Sequence, residues 1–349
     1  MLGGGVVGPR VGLRLLGAAS FGGYITALLR KYPVRHNFEV LPPFTRSSGL
    51  AWEADVLRDG KTEAVYICTP DAQHGPQAIA CLGASKAVLV EKPVLGWGAV
   101  RDGAQAAGAR GWVHVGFQRR HDSEYLRARA HCATHAVRRA VFVAEDPWDA
   151  DANTVKDPEQ LRNVLRNSLC HEFDLLGWFW PESRVELSQV EPRADSGAFV
   201  AGMVHHPDGA PSTNFEIHFS KGHAKHYGQL VRLDAREFGY PKFAVKGWEE
   251  AGFLYEQAYV DQLATFYRSC VDSSDASLKP ALAADLPSYT RAFDLMEAAC
   301  AMSGGSTGSA RLSAVSCELY SKRCKTQNHI SCDHATIRTA VLQQPKRSR

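Results

Sequence analysis

The sequence predicts an α/β fold joined to an α+β one: a doubly wound parallel sheet first, then an open, mostly antiparallel sheet. Three observations carry this. Over roughly the first 120 residues short apolar strands alternate with helical patterns, the signature of parallel strands linked by crossover helices. After about residue 136 strand-like segments follow one another at hairpin distance, which favours antiparallel pairing. The chain has 349 residues, 45% apolar and 22% charged, enough for two domains with ordinary globular cores.

Residues 11–31 run from a short apolar segment through a small-residue turn into an apolar helical pattern, hence strand, turn, helix. Phe38 to Phe44 makes a poor second strand, because Pro42 and Pro43 donate nothing to a ladder. Strands are expected at 64–69, 87–91 and 112–117, with a helix at 75–82. Beyond them, strands are expected at 137–144, 185–191, 198–205, 213–220 and 229–234, interrupted by one helix near 159–180. Helices resume at 256–270 and 286–301, and Gly304 opens a Gly/Ser linker into a basic tail expected to be disordered.

Charge narrows the function classes. The formal net charge is +3, but residues 39–312 hold 28 basic and 35 acidic residues. An acidic body argues against nucleic-acid binding. No apolar run approaches the ~18 residues of a membrane helix, so no membrane association is expected. Nine cysteines, mostly inside apolar runs, read as free thiols in a cytoplasmic protein. The acid-free start reads as a first strand and helix rather than a mitochondrial presequence. In the tail, Cys317, Cys324, His329, Cys332 and His334 lack zinc-ribbon spacing, so no metal is expected.

Four segments could carry chemistry. Gly17, Ala19, Ser20, Phe21 and Gly22 follow a strand and open a helix, fitting G-x-G-x-x-G with alanine in the middle. Such a turn either receives a pyrophosphate on helix N–H groups or merely packs small residues. The acid expected about 20 residues on to hold a ribose is missing; Thr45 and Arg46 stand there. They suit a 2′-phosphate, favouring NADP over NAD, or are a solvated loop. Thr69, Pro70 and His74 follow one strand, and Glu91 and Lys92 follow the next. The carboxyl ends of such strands are where ligands bind, and Lys92 could stabilise a developing alkoxide. Glu91-Lys92-Pro93 could equally be a polar strand end. Last, Asn167, His171, Asp174 and Trp178 recur on one face of an expected amphipathic helix. A histidine there is a candidate proton carrier, though a structural one is the commoner case.

Taken together, Thr-Pro-x-x-x-His at 69–74, Glu-Lys-Pro at 91–93, Gly-Phe-Gln-Arg-Arg-His-Asp at 116–122 and His-Glu-Phe-Asp at 171–174 resemble the Gfo/Idh/MocA oxidoreductases. Glu145-Asp146-Pro147 and the helix from Tyr255 to Phe266 support it. The resemblance spans about residues 11–312 and is nearest in flavour to inositol dehydrogenases. It implies a Rossmann domain over 10–122, a substrate and oligomerisation domain over 123–312, and a tail over 313–349. It implies NAD(P)-dependent oxidation of a cyclic polyol or sugar by a homodimer or homotetramer. Lys92 would then contact the reacting oxygen and His171 act as general acid/base. Asn167 would stand in place of an aspartate, and Tyr227 and Gln229 would help to hold the polyol. The departures, Ala19, the missing acid, Asn167 and a stretch before Ala64 about ten residues short, leave a catalytically weakened relative as the alternative.

Overall fold

The computed structural model describes residues 9–17, 21–44, 52–107, 112–146, 155, 157–193, 197–221, 226–244, 253–271 and 279–303. All of these belong to one compact unit, Met1–Gly308; the linker from Gly304 and the expected tail lie outside the described residues.

The first sheet has five parallel strands: β1 (Val11–Leu16), β2 (Phe38–Val40), β3 (Ala64–Ile67), β4 (Ala87–Val90) and β5 (Val113–Val115). Their order is β2-β1-β3-β4-β5, so the chain reverses direction across the sheet between β1 and β3. Strands β1, β3, β4 and β5 are buried along their whole length, because helices cover both faces and the strands are mostly apolar, with His114 in β5 buried as well. Arg14 is the exception in β1. It is buried, and Asp55 and Asp59 at 2.7 and 2.8 Å neutralise it. Both acids come from the stretch of chain before β3, where a short π-helical turn (Glu53–Leu57) lies. β2 is a real strand but only three residues long, ending before Pro42.

Helix α1 (Phe21–Lys31) buries Ile25, Leu28 and Leu29 and ends on Arg30 and Lys31, cations that suit the negative end of its dipole. Helix α2 (Asp71–Gly83) follows β3, and α3 (Trp97–Ala107) follows β4. Helix α4 (Ser123–Thr134) is capped by the Asp122 carboxylate, which accepts from the Glu124 amide.

The second sheet has six strands, β6 (Arg139–Asp146), β7 (Arg184–Pro192), β8 (Ala198–His205), β9 (Thr213–Lys221), β10 (His226–Leu233) and β11 (Arg236–Ala244). Their order is β11-β10-β6-β9-β8-β7. Every pairing is antiparallel except β6 with β9. β11 was not foreseen: Gly239 and Pro241 interrupt its alternation, and Gly239 takes a positive φ of 92° beside the Gln229 carbonyl.

The single helix expected near 159–180 is two. Helix α5 (Pro158–Asn167) starts at an Asp157 cap, and α6 (Cys170–Phe179) follows after Ser168 and Leu169. The break has a local cause. The Ser168 and Leu169 amides both donate to the Val164 carbonyl, at 2.9 and 3.1 Å, which widens the turn and ends the regular ladder. Nor is α6 amphipathic, since all ten of its residues are buried. The chain ends its described part with α7 (Glu256–Val271) and α8 (Lys279–Met302). Helix α7 returns to the first sheet, where Tyr259 meets Phe21 and Phe266 stacks on Phe38. Helix α8 packs along α6, starts seven residues earlier than the apolar pattern implied, and carries Pro287 inside it.

Candidate active site

In an open parallel sheet the ligand crevice lies at the carboxyl ends of the strands where the strand order reverses. Here that is the gap between β1 and β3. Gly17 ends β1 with φ at 86°, and a Cβ on it would lie 2.7 Å from the Cys68 carbonyl oxygen. Gly22, in the first turn of α1, has no room either: its Cβ would fall 1.8 Å from the Gly17 carbonyl oxygen. Both glycines are therefore required by the closeness of turn, strand and helix. Phe21 packs against Tyr24 and Tyr259. Ala19, Ser20, Thr45 and Arg46 lie outside the described residues.

The ends of β3 and β4 supply the next wall. Thr69 donates from its hydroxyl to Gln77 Oε1 at 2.7 Å, and Pro70 starts α2. His74 is buried, with Nε2 2.6 Å from the Thr69 carbonyl and Nδ1 2.8 Å from the Pro93 carbonyl. Glu91 is buried and accepts from the Tyr66 hydroxyl at 2.6 Å. Burial raises its carboxyl to about 7, although the Tyr66 hydrogen bond and the Lys92 charge pull the other way.

Lys92 crosses to the second part of the chain. Its Nζ donates to the main-chain carbonyl of Asn167 at 2.9 Å. Asn167 is the last residue of α5, and His171 sits one turn further on, near the start of α6. Lys92, Asn167 and His171 thus come together, and the group by which Asn167 holds the lysine is its backbone. The His171 ring is buried edge-on to Phe117, at 5.8 Å between centroids. Burial first, then the Arg119 and Lys92 charges, hold its imidazole well below the usual range and so keep it neutral. Its Nδ1 is buried without a hydrogen-bond partner among the described residues. A buried polar atom left so is costly unless a bound group satisfies it.

Two ion pairs fix this helix. Arg119 pairs with Glu172 at 2.5 Å, and Arg120 grips the Asp174 carboxylate through two nitrogens. All four side chains are at most 5% exposed. Arg120 also reaches Asp285 and Ser288 on α8. These arginines were missed as site residues. The visible signal was four charges inside two otherwise buried runs, at 119–120 and at 172 and 174. Tyr227 is buried on β10, 6.4 Å from the Tyr255 ring. Its hydroxyl is held neutral mainly by burial, in spite of the nearby Arg119 charge. Gln229 joins the same network through its carbonyl, which accepts from Tyr125. Among the described residues no group of three or more metal-ligating side chains is found, and no helix is long and apolar enough to cross a membrane.

The parallel sheet with its glycine turn at the reversal point, joined to a mixed, mostly antiparallel sheet, defines a two-part fold with a Rossmann sheet first. A family model described as an oxidoreductase family with an NAD-binding Rossmann fold matches residues 29–117. An inositol 2-dehydrogenase of Rubrobacter xylanophilus is 32% identical over 142 residues, 38% of each chain. That of Mycolicibacterium gilvum is 26% identical over 214 residues, 57% of this chain and 56% of its own. The chain thus spans between about two fifths and three fifths of the length of these curated relatives. Among solved structures, a scyllo-inositol dehydrogenase of Lactobacillus casei with bound NAD(H) and scyllo-inositol shares the fold. It has a TM-score of 0.61 at 16% identity, covering 83% of this chain and 97% of its own. Residues 29–117 thus match the NAD-binding Rossmann model of the Gfo/Idh/MocA oxidoreductases, and the whole described chain shares its fold with inositol dehydrogenases.

Proposed function

We propose that this protein is an NAD(P)-dependent dehydrogenase of a cyclic polyol or sugar, inositol-like in substrate class. The observation that carries the reading is the Lys92 contact with the Asn167 carbonyl, one turn before His171, at the carboxyl edge of the parallel sheet. The glycine turn suits a dinucleotide, because Gly17 and Gly22 let the turn after β1 close tightly against β3 and the start of α1, which brings the helix N-terminus to the strand ends. In this reading Gly17, Phe21 and Gly22, with Ala19 and Ser20, hold the pyrophosphate. Thr69, Pro70, His74, Glu91 and Lys92 line the nicotinamide end. When bound, the nicotinamide supplies the hydride acceptor.

The chain's own residues do the rest. A neutral His171 has a lone pair with which to take the hydroxyl proton as the carbon is oxidised. Lys92, charged and directed across the crevice, stabilises the negative charge growing on that oxygen. Burial, with the Arg119 and Lys92 charges, keeps the imidazole neutral, so His171 is in the form that can accept a proton but holds it weakly and must pass it on. Tyr227 and Gln229 contribute to the polyol pocket. Thr45 and Arg46 incline the choice toward NADP.

The same reading divides the chain at about residue 122, with self-association into a homodimer or homotetramer through the open face of the second sheet, in the cytoplasm. The test is direct. Purified full-length protein is titrated with NADH and NADPH by fluorescence, then assayed with myo-inositol, scyllo-inositol and aldoses. Turnover with an inositol supports the proposal. Failure to bind either cofactor ends it, and tight binding with no turnover on the panel favours the catalytically weakened relative.

A further inference from the structure

Residues 117–119 run beside the start of α6. The Phe117 ring meets the His171 ring edge-on, and Arg119 pairs with Glu172, the residue after that histidine. Gln118 lies between these two contacts, in the short 3-10 turn Gln118–His121 that leaves the carboxyl end of β5. It is 6% exposed. A buried amide is normally hydrogen-bonded within its fold. Gln77 and Gln262, also buried, obey that rule: Gln77 accepts from Thr69 and donates to Gln73, and Gln262 donates to the Val115 carbonyl. Neither amide atom of Gln118 has a partner among the described residues, yet, unlike Oε2 of Glu172 and Nδ1 of His171, they are not shut off from solvent. Such a group is costly in the empty protein and is placed to meet whatever enters. We propose that Gln118 is a specificity-determining residue of the substrate pocket, and that its amide takes a second hydroxyl of the polyol, beside the one whose proton goes to His171.

The chemistry of the amide selects the group it meets. A carboxamide offers two N–H donors and a carbonyl acceptor. A hydroxyl both donates and accepts, so it matches either end of the amide. A bare ring carbon in the same place leaves the amide unpaired, and a site built to bond a hydroxyl rejects the analogue without one. The substrate class narrows accordingly, to a cyclic polyol with a free hydroxyl near the reacting carbon. Being neutral, the amide adds no charge that would compete with Lys92 for the growing negative oxygen. Its place in the sheet favours the substrate over the phosphates. β3 and β4 lie between β5 and the glycine turn after β1, whereas Phe117 and Arg119 tie the Gln118 turn to α6.

This role rests on the dehydrogenase reading, and the test lets the two fail separately. Gln118→Met nearly keeps the side-chain volume and removes the amide. Without ligand, the full-length variant should melt at the native temperature or above it, since it loses a buried polar group and no hydrogen bond. A melting temperature several degrees lower would show that the amide is partnered inside the fold, and would overturn the proposal. For the second readout, native protein is labelled with 15N in its glutamine amides and followed by NMR. The Gln118 signal is the one missing from Gln118→Met. NADH is added first, then myo-inositol or scyllo-inositol. The Gln118 signal should shift with the inositol, and inositol affinity should fall about ten-fold in Gln118→Met. A signal that moves with NADH and no further with inositol would assign the amide to the nicotinamide carboxamide and overturn the proposal. A signal that neither inositol moves, or an affinity unchanged in the variant, overturns it as well. The dehydrogenase reading falls on a different observation, failure to bind NADH or NADPH. Turnover of an inositol with an unmoved Gln118 signal would defeat this inference alone.

Discussion

Gly116 and Glu91 occupy each other's space: a Cβ on Gly116 would lie 2.7 Å from one carboxylate oxygen of Glu91 and 2.8 Å from the other. The carboxyl group cannot retreat without disturbing the hydrogen bond it accepts from the Tyr66 hydroxyl. Gly116→Ala should therefore cost about 1–3 kcal/mol, the usual range for overpacking a tight interior. Urea unfolding measures it. A variant as stable as the native chain would mean that the Glu91 side chain has another place to go.

Glu91 also gives stability a pH dependence. Its carboxyl titrates at about 7 in the folded chain against an ordinary 4.5. As pH rises from 4.5, the unfolded chain loses this proton first, so folding loses stability until about pH 7. Buried His114 works the other way in acid. Burial lowers it to about 4 from 6.5, so its contribution is present above 6.5 and lost as pH falls toward 4. The comparison that isolates Glu91 is with Glu91→Gln, which still accepts from Tyr66. The native melting temperature should fall relative to that variant between pH 4.5 and 7 in scanning calorimetry. Parallel curves would refute the assignment.

Lys92→Ala should lower turnover by a factor of about 100 to 1,000, the scale of losing one preorganised partner of a growing oxyanion. NADH affinity, read by fluorescence titration, should hardly change. Asn167→Ala should be far milder, because the carbonyl that holds Lys92 survives the substitution. Equal damage from both would show that the amide side chain matters and the backbone contact does not.

Asp174→Asn leaves the Arg120 guanidinium buried against a neutral amide, with only the partly exposed Asp285 as a countercharge. Breaking a buried pair from one side typically costs about 3–5 kcal/mol. The double variant Arg120→Met with Asp174→Leu should cost less than Asp174→Asn alone, since it removes both charges together. Denaturant melts of the three proteins decide the point, and additive losses would speak against a coupled pair.

Much of this was legible because of how each segment is buried. Strands buried on both faces announce themselves as apolar runs, and β1, β3, β4 and β5 were found at or close to their positions. The glycines at 17 and 22 were legible because a tight turn leaves no alternative residue. The break at Ser168 was not, since it depends on which carbonyl two amides choose, and neither residue type forces it. The Arg119–Glu172 and Arg120–Asp174 pairs were also out of reach. The charges were visible, but partners 53 and 54 residues apart are set by the packing of α6, which no local pattern encodes. β11 was hidden by a glycine and a proline that read as loop.

The one parallel pairing in the second sheet bears on how the chain is made. β6 lies between β9 and β10 and has no partner close to it in sequence. After Asp146, residues 147–212 must be synthesised before β9 begins at Thr213. At about 5–20 residues per second, β6 spends roughly 3–13 s outside the ribosome with both edges bare. That interval is long against the microseconds of hairpin closure. The central strand is therefore the one that waits longest for its partners, and the nascent chain is most exposed to wrong pairing at what becomes the middle of the sheet.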